Sequence, residues 1–255
     1  MLSIDDWRRR FLVQAGWTRA LRQNLAQQVG WAQAHRILEV GCGTGAVLAE
    51  TAPGTGGALF GLDLRPDFLQ TARESVPTAS FTCGDGLHLP FRAGAYDSVF
   101  CHYLLLWVSN PVQILAEMKR VTRPGGWVLA FAEPDYAGRL DYPPELETTG
   151  RLQTQALRSQ GADPFIGRRL RSLFARNGFV HVSAGALSGY WGEPPSRSAL
   201  DSEWKILEND LASLVPAEAL KKARQIDQQA WQSGERILFV PTFYACGQVP
   251  PDLRA

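Results

Sequence analysis

The stretch Arg36-Ile-Leu-Glu-Val-Gly-Cys-Gly-Thr-Gly-Ala-Val-Leu48 constrains this chain more than any other. A short apolar run carrying one acid breaks into a turn with glycine at Gly41, Gly43 and Gly45, and a helical pattern resumes through Val47 and Leu48. A buried strand that turns sharply into a helix needs glycine, which adopts backbone angles closed to other residues and lets a ligand reach the main chain. The helix start beyond the turn offers unpaired N–H groups and the positive end of a dipole. The pattern predicts a nucleoside-type cofactor and leaves open which one.

The rest of the chain repeats the strand-and-helix alternation. Strands are expected at 36–40, 58–63, 80–83, 96–102 and 127–132, with helices at 46–52, 66–76 and 111–122 between them. Alternation of this kind implies right-handed βαβ units and a parallel sheet. Residues 3–30 read as one or two helices, with Gly16 as the point of division, and 140–144 as irregular. Helices follow at 145–159 and 166–177, a strand at 179–187, a polar helical stretch at 197–232 and a last strand at 236–246. The expected organisation is a helical cover over 1–35 and an α/β domain over 36–255, interrupted by a helical cap at about 190–235.

A chain of 255 residues fits one such elaborated domain. With 45% hydrophobic and 20% charged residues and a net charge of +1, it gives no reason to expect nucleic acid or an anionic membrane as partner. No apolar run approaches the ~20 residues of a membrane span, and the N-terminus lacks a signal-peptide core. Cys42, Cys83, Cys101 and Cys246 have neither metal-ligand nor disulfide spacing and read as buried free thiols in a reducing compartment. The expectations are a cytoplasmic monomer or homodimer with no metal.

Gly41, Gly43 and Ala46 satisfy the permissive dinucleotide fingerprint, with Asp63 about twenty residues on. An NAD(P)-dependent oxidoreductase is therefore the enzyme alternative, and a non-catalytic scaffold the non-enzyme one. Glu39, just before the turn, decides between the cofactors. Its carboxylate would oppose a pyrophosphate and favour a nucleoside that bears an ammonium group. Asp63 ends the second strand, where two ribose hydroxyls can donate to it. Asp85, between Gly84 and Gly86, suits an exocyclic adenine amine, or else a local turn in which the side chain bonds its own backbone.

Five blocks resemble, in order and spacing, the motifs of the class I S-adenosylmethionine-dependent methyltransferases. They are Leu38-Glu-Val-Gly-Cys-Gly-Thr-Gly45, Gly61-Leu-Asp-Leu64, Gly84-Asp-Gly-Leu-His-Leu-Pro-Phe91, Tyr96-Asp97 and Arg120-Val-Thr-Arg-Pro-Gly-Gly126. The resemblance covers roughly residues 36–133 and is nearest to the small-molecule branch that includes ubiquinone- and menaquinone-biosynthetic enzymes. It implies a Rossmann-like, seven-stranded, mostly parallel sheet with helices on both faces and the last strand antiparallel between the fifth and sixth. It also implies S-adenosyl-L-methionine as cofactor, S-adenosyl-L-homocysteine as product and a small-molecule acceptor methylated at carbon, oxygen or nitrogen.

By the same match, Gly41 and Gly43 line the methionine portion with Glu39 in support, Asp63 holds the ribose, Leu64 packs on the adenine and Asp85 with Gly86 meets its edge, while Cys42, Thr44, Gly45 and Leu87 in the same blocks count as cofactor-binding. Cys101 and His102 border the methionine end. Gln14, Trp17, Thr18 and Arg22 fall largely on one helical face that can cover the cofactor, with Arg22 placed to meet its carboxylate.

Methyl transfer asks for in-line placement and exclusion of water, and for a base only when the acceptor must lose a proton. His102, Glu133 and Tyr136, at predicted strand ends, are the candidate catalytic residues. The bland readings are a hydrogen-bonded strand-end histidine and a structural Glu-Pro turn. Asp135, Asp163, Arg168, Tyr190 and Trp191 are candidates for acceptor contact, with Asp163 and Arg168 read as an ion pair or part of a lid. The segment Cys101-His-Tyr-Leu-Leu-Leu106 lacks the motif of amino-group methylators of nucleic acid bases.

Overall fold

The computed structural model describes residues 2–51, 55–189 and 194–252. In chain order its strands are β1 (Arg36–Val40), β2 (Ala58–Asp63), β3 (Ser80–Cys83), β4 (Tyr96–Cys101), β5 (Thr122–Pro134), β6 (Leu140–Tyr142), β7 (Val180–Ala186), β8 (Ile237–Phe239) and β9 (Thr242–Gln248). The helices are α1 (Ile4–Gln28), α2 (Ala46–Thr51), α3 (Pro66–Ser75), α4 (Pro111–Val121), α5 (Glu147–Ser159), α6 (Leu170–Arg176), α7 (Arg197–Leu211) and α8 (Ala217–Ser233).

Seven strands form one sheet in the order β3-β2-β1-β4-β5-β9-β7, parallel except for β9, which runs antiparallel between β5 and β7. Successive β-strand side chains point to opposite faces, so a strand buried on both faces reads as a continuous apolar run. In β1, Leu38 and Val40 join the core with Ile114, Leu115 and Phe174 on one face. Ile37 joins Leu48, Leu69, Phe100 and Phe131 on the other. Glu39, at 2% exposed, is the polar exception.

Helix α1 runs unbroken through Gly16, contrary to the possible division there. Ala15, Thr18, Arg22 and Leu25 recur at helical spacing and are buried, while Gly16 faces outward. An exposed helical glycine costs about 1 kcal/mol relative to alanine, less than the packing of such a stripe returns. A reciprocal Ser3–Asp6 cap fixes the start of the helix.

The C-terminal part departs from expectation in one respect. The single strand expected over 236–246 is two, because Pro241 cannot donate to a sheet ladder and marks the step between β8 and β9. Strand β8 instead pairs with β6, so the segment expected to be irregular becomes half of a two-stranded ribbon. Helices α7 and α8 intervene between β7 and β8, as the helical insertion expected before the last strand. They are tied to the ribbon by a buried network in which Arg236 donates to Asp227 (2.6 Å) and Asp141 (2.9 Å), and the Trp204 indole donates to Asp227 (2.7 Å). Helix α7 is tied to α1 by the ion pairs Asp6–Lys205 (2.8 Å) and Arg10–Glu203.

Candidate active site

A cavity of about 900 Å³ opens at the carboxyl ends of β1, β2, β4 and β5, where open parallel sheets bind ligands. One end is the glycine turn. Gly43 (φ +52°) donates its N–H to Asp63 (2.8 Å), and Arg65 N–H donates to the other Asp63 oxygen (2.9 Å), so the second acid is locked beside the first turn. A Cβ on Gly43 would lie 2.9 Å from the Phe11 ring of α1, which therefore sits directly over the loop.

Among the described residues, Glu39 Oε2 and Thr44 Oγ1 are buried without a hydrogen-bond partner. Burial pushes the Glu39 carboxyl well above its usual range, opposed by the charge of Arg22 and reinforced by that of Asp63. A buried carboxylate oxygen with nothing to accept, facing a cavity, suits an ammonium group and disfavours a pyrophosphate. The donor set fits S-adenosylmethionine.

Gln14, Trp17, Glu39, Gly41, Cys42, Gly43, Asp63, His102 and Tyr136 all line this cavity. Other expected residues do not. The expected α1 face is split. Gln14 and Trp17 face the cavity, while Thr18 and Arg22 turn toward the protein interior. Arg22 donates to Glu50, to the Thr18 hydroxyl and to the Ala15 carbonyl (2.7 Å), so its carboxylate partner is Glu50. Thr44, Gly45 and Cys101 are packed beneath the lining rather than part of it, and Cys83 is exposed, unlike the other three thiols.

On the adenine side, Leu64 is 69% exposed and stands outside the lining, as do Asp85, Gly86 and Leu87. Asp85 Oδ1 accepts from Leu87 N–H (2.9 Å), the local turn weighed as its alternative. Gly84 N–H donates to the Asp63 carbonyl (3.0 Å), which keeps this loop at the rim next to the ribose acid. Gly86 has a packing reason to be glycine, since a Cβ there would meet Ile114 at 2.8 Å.

The expected bases fare unequally. Glu133 is fully buried and accepts from three backbone N–H groups, Leu104 (2.9 Å), Leu105 (2.7 Å) and Leu106 (3.1 Å). It clamps the turn that leaves β4 and does not face the cavity, which corrects its reading as a base. Burial pushes it up to about 8, against those three donors. His102 lines the cavity, yet burial, helped by Arg22, pushes it down to about 3. Tyr136 reaches the lining from just beyond β5.

Asp163 and Arg168 are not partners. Arg168 pairs with Asp135, and Asp163 with Arg169, because Asp163 N–H is fixed to the Leu106 carbonyl (2.7 Å) and its side chain turns toward the start of α6. Asp135, Asp163 and Arg168 are not part of the lining, and the Arg168 side chain is half exposed. Tyr190 and Trp191 fall outside the described residues.

The cavity is also lined by groups that sequence reasoning missed, namely Arg10, Tyr103, Glu203 and Asp210. Arg10 was legible in principle, since it precedes Gln14 by four and Trp17 by seven on the same helical face. Glu203 and Asp210 carry no local signal. Among the described residues no group of three or more His, Cys, Asp or Glu could hold a metal, and no helix is long and apolar enough to cross a membrane.

A sheet of this order, with β9 reversed between β5 and β7 and a glycine turn flanked by acids on β1 and β2, is a Rossmann-like methyltransferase fold. A family model described as a methyltransferase domain matches residues 38–130. A demethylmenaquinone methyltransferase of Renibacterium salmoninarum is 32% identical over 127 residues, 49% of this chain and 53% of that protein. A candidate methyltransferase of Bacillus halodurans superposes with a TM-score of 0.60 at 15% identity, over 89% of this chain and 98% of that one. A phosphoethanolamine N-methyltransferase of Haemonchus contortus, solved with phosphomonomethylethanolamine and S-adenosylhomocysteine, gives 0.56 at 17% identity, over 91% and 53%. The chain spans about half the length of the curated relatives it matches. Over residues 38–130 the chain is thus similar to methyltransferase domains, and the acids around the glycine turn suit S-adenosylmethionine.

Proposed function

We propose that this chain transfers a methyl group from S-adenosylmethionine to a small molecule held in the far half of the same cavity. The observation that carries the reading is continuity. The orphaned Glu39 oxygen, the Asp63 carboxylate and the chamber under α7 line one space of about 900 Å³. When bound, the cofactor supplies a methyl on a sulfonium, a donor that needs no further activation. Glu39 would hold its ammonium, Asp63 its ribose, and Asp85 with Leu64 the adenine at the rim. Phe11 and Trp17 of α1 would exclude water from above, so residues 1–35 act as the cover and the α7–α8 cap closes the acceptor end.

The chain contributes placement more than proton transfer. A general base works best with a pKa near the operating pH. His102 is pushed down to about 3, Tyr103 is pushed up to about 12 by burial, and Glu133 is sealed away. An acceptor whose reacting atom is already nucleophilic, presented in line, is what such a site can use.

Calorimetric titration with S-adenosylhomocysteine and with NAD tests the donor, and methyl incorporation from labelled S-adenosylmethionine into a small-molecule panel tests the reaction. Micromolar binding of S-adenosylhomocysteine alone, with label in a small acceptor, is expected. Preference for NAD would overturn the reading, and so would label appearing only in protein or RNA.

A further inference from the structure

The far half of the cavity contains a buried cation. Arg10 is 11% exposed along its side chain, and its guanidinium lies 5.3 Å from the centre of the Trp17 ring. A guanidinium has five N–H donors in a fixed fork. Here one carboxylate, that of Glu203 on α7, forms its ion pair, and among the described residues no backbone carbonyl or hydroxyl is bonded to it. Arg22, the other buried arginine of α1, is by contrast satisfied by a carboxylate, a hydroxyl and a carbonyl. Arg10 itself is part of the cavity lining.

Two phenols share that space. Tyr103 and Tyr136 line the cavity within electrostatic reach of Arg10, as does the Asp210 carboxylate, which forms no ion pair with it. Tyr103 takes a left-handed backbone (φ +51°), a conformation sparsely populated by residues other than glycine and usually held by its surroundings for a purpose. Its N–H is fixed to the Ala132 carbonyl at 2.8 Å. Around this polar spot the walls are apolar, formed by Leu157 on α5 and by Leu200, Trp204 and Leu207 on α7.

We propose that the acceptor carries an anionic oxygen, a carboxylate or ionised hydroxyl on an apolar frame, and that Arg10 receives it in exchange for Glu203. The proposal rests on the methyl-transfer reading above and adds the class of acceptor. The exchange is possible because the two partners are unequally buried. The Glu203 side chain is 32% exposed, so a rotation can carry its Oε1, now buried against Arg10, back to water, whereas the guanidinium is held deep in the lining. A planar oxyanion meets the guanidinium fork bidentately, which one carboxylate oxygen of Glu203 does not. Tyr103 and Tyr136 supply further O–H donors to the same oxygen. Glu203 then serves as a stand-in that keeps the cation paired while the chamber holds no acceptor, and as a tie between α7 and α1.

Three probes on one frame test this. Protein loaded with S-adenosylhomocysteine is titrated calorimetrically with indole-3-acetate, indole-3-acetamide and tryptamine. The acetate is expected to bind at least tenfold more tightly than the amide, with tryptamine weakest. Arg10→Gln should bring acetate and amide together while S-adenosylhomocysteine affinity stays within about twofold, which also shows the variant is folded. Glu203→Gln removes the competitor and should tighten acetate binding severalfold. A pure α1–α7 latch would instead lower the melting temperature of Glu203→Gln without any gain in acetate affinity, and that result overturns the proposal. Equal binding of acetate and amide, or no acetate binding, by wild-type protein that does bind S-adenosylhomocysteine overturns it too. Failure to bind S-adenosylhomocysteine removes the methyl-transfer reading itself, a separate outcome.

Discussion

Inside the protein, the Nε2 of His102 at the exit of β4 lies 2.9 Å from the hydroxyl of Thr18 on α1. Arg22 donates to that same hydroxyl oxygen, whose own proton has two acceptors within reach, the Ala15 carbonyl at 3.4 Å and the nearer His102 ring, and we assign it to the shorter contact. The assignment makes Nε2 an acceptor and His102 neutral, with its proton on Nδ1. The pair therefore fastens the N-terminal cover to the sheet and depends on His102 staying uncharged.

That dependence sets a pH effect with a definite sign. The ring is pushed from 6.5 down to about 3 in the folded protein. Below pH 6.5 the unfolded chain takes up the proton first, so stability is fully present above that value and falls as pH drops toward 3. The contribution of one such group approaches about 1.4 kcal/mol per pH unit. Denaturant unfolding of wild type and His102→Gln between pH 7.5 and 4 should show the difference between them shrinking as pH falls. Parallel curves would mean that the histidine is protonated as readily in the folded state as in the unfolded one.

Glu133 gives a second prediction, about stability rather than chemistry. Two N–H groups converge on Oε1 and a third on Oε2. Glutamine keeps one acceptor oxygen and places an NH₂ against the remaining donor. A buried group left unsatisfied costs about 1–3 kcal/mol. Glu133→Gln should lose stability in that range, and Glu133→Asp should also lose it, because the shorter side chain cannot span the turn. Unchanged stability with lost turnover would restore the catalytic reading.

These two residues also show what the sequence could and could not reveal. The glycine turn, the acid before it and the acid at the end of β2 are local features, set by turn chemistry and by the strand that carries them. Asp63 was expected beside the turn, and it bonds Gly43. Glu133 stood next to a proline at a strand end and looked like a rim carboxylate. Its true partners are 27 to 29 residues away in sequence, supplied by the turn after the neighbouring strand. Asp163 and Arg168 failed for a related reason, since each had a second oppositely charged candidate and only tertiary packing chose between them. Arg10 and Glu203, 193 positions apart, meet only because the cap folds back over α1.

Glu39→Gln should separate stability from binding. Removing a buried carboxylate whose Oε2 has no partner relieves a desolvation cost, so the ligand-free protein should melt at the same temperature or slightly higher. The amide offers the cofactor's ammonium a weaker acceptor, and a charged hydrogen bond is worth about 1.5–3 kcal/mol. S-Adenosylhomocysteine affinity should fall by roughly ten- to a hundredfold. An ammonium beside Glu39 also pulls its raised pKa down. Binding to wild type should therefore release protons, seen as an apparent enthalpy that varies with the buffer's ionisation enthalpy, and the variant should lose that dependence.

The last prediction concerns what holds the cap. Arg236 is bonded to Asp227 of α8 and to Asp141 of β6, all three nearly inaccessible, and Asp227 also accepts from Trp204 of α7. Two carboxylates flank one guanidinium, and Arg139 pairs with the outer face of Asp141. Taking away Arg236 alone leaves Asp141 to Arg139 and leaves the buried Asp227 charge with no cation, which typically costs about 3–5 kcal/mol. Arg236→Met should therefore be strongly destabilising. Asp227→Asn keeps one of the two bonds and sets its NH₂ against the other donor, but it removes a buried negative charge, so it should be milder and should partly rescue Arg236→Met, where the oxygen can still serve Trp204. A double-mutant cycle measured by denaturant unfolding should give a coupling above about 1 kcal/mol. Additive losses would mean that α7 and α8 are held by their apolar contacts, with the ion network incidental to the closure of the chamber.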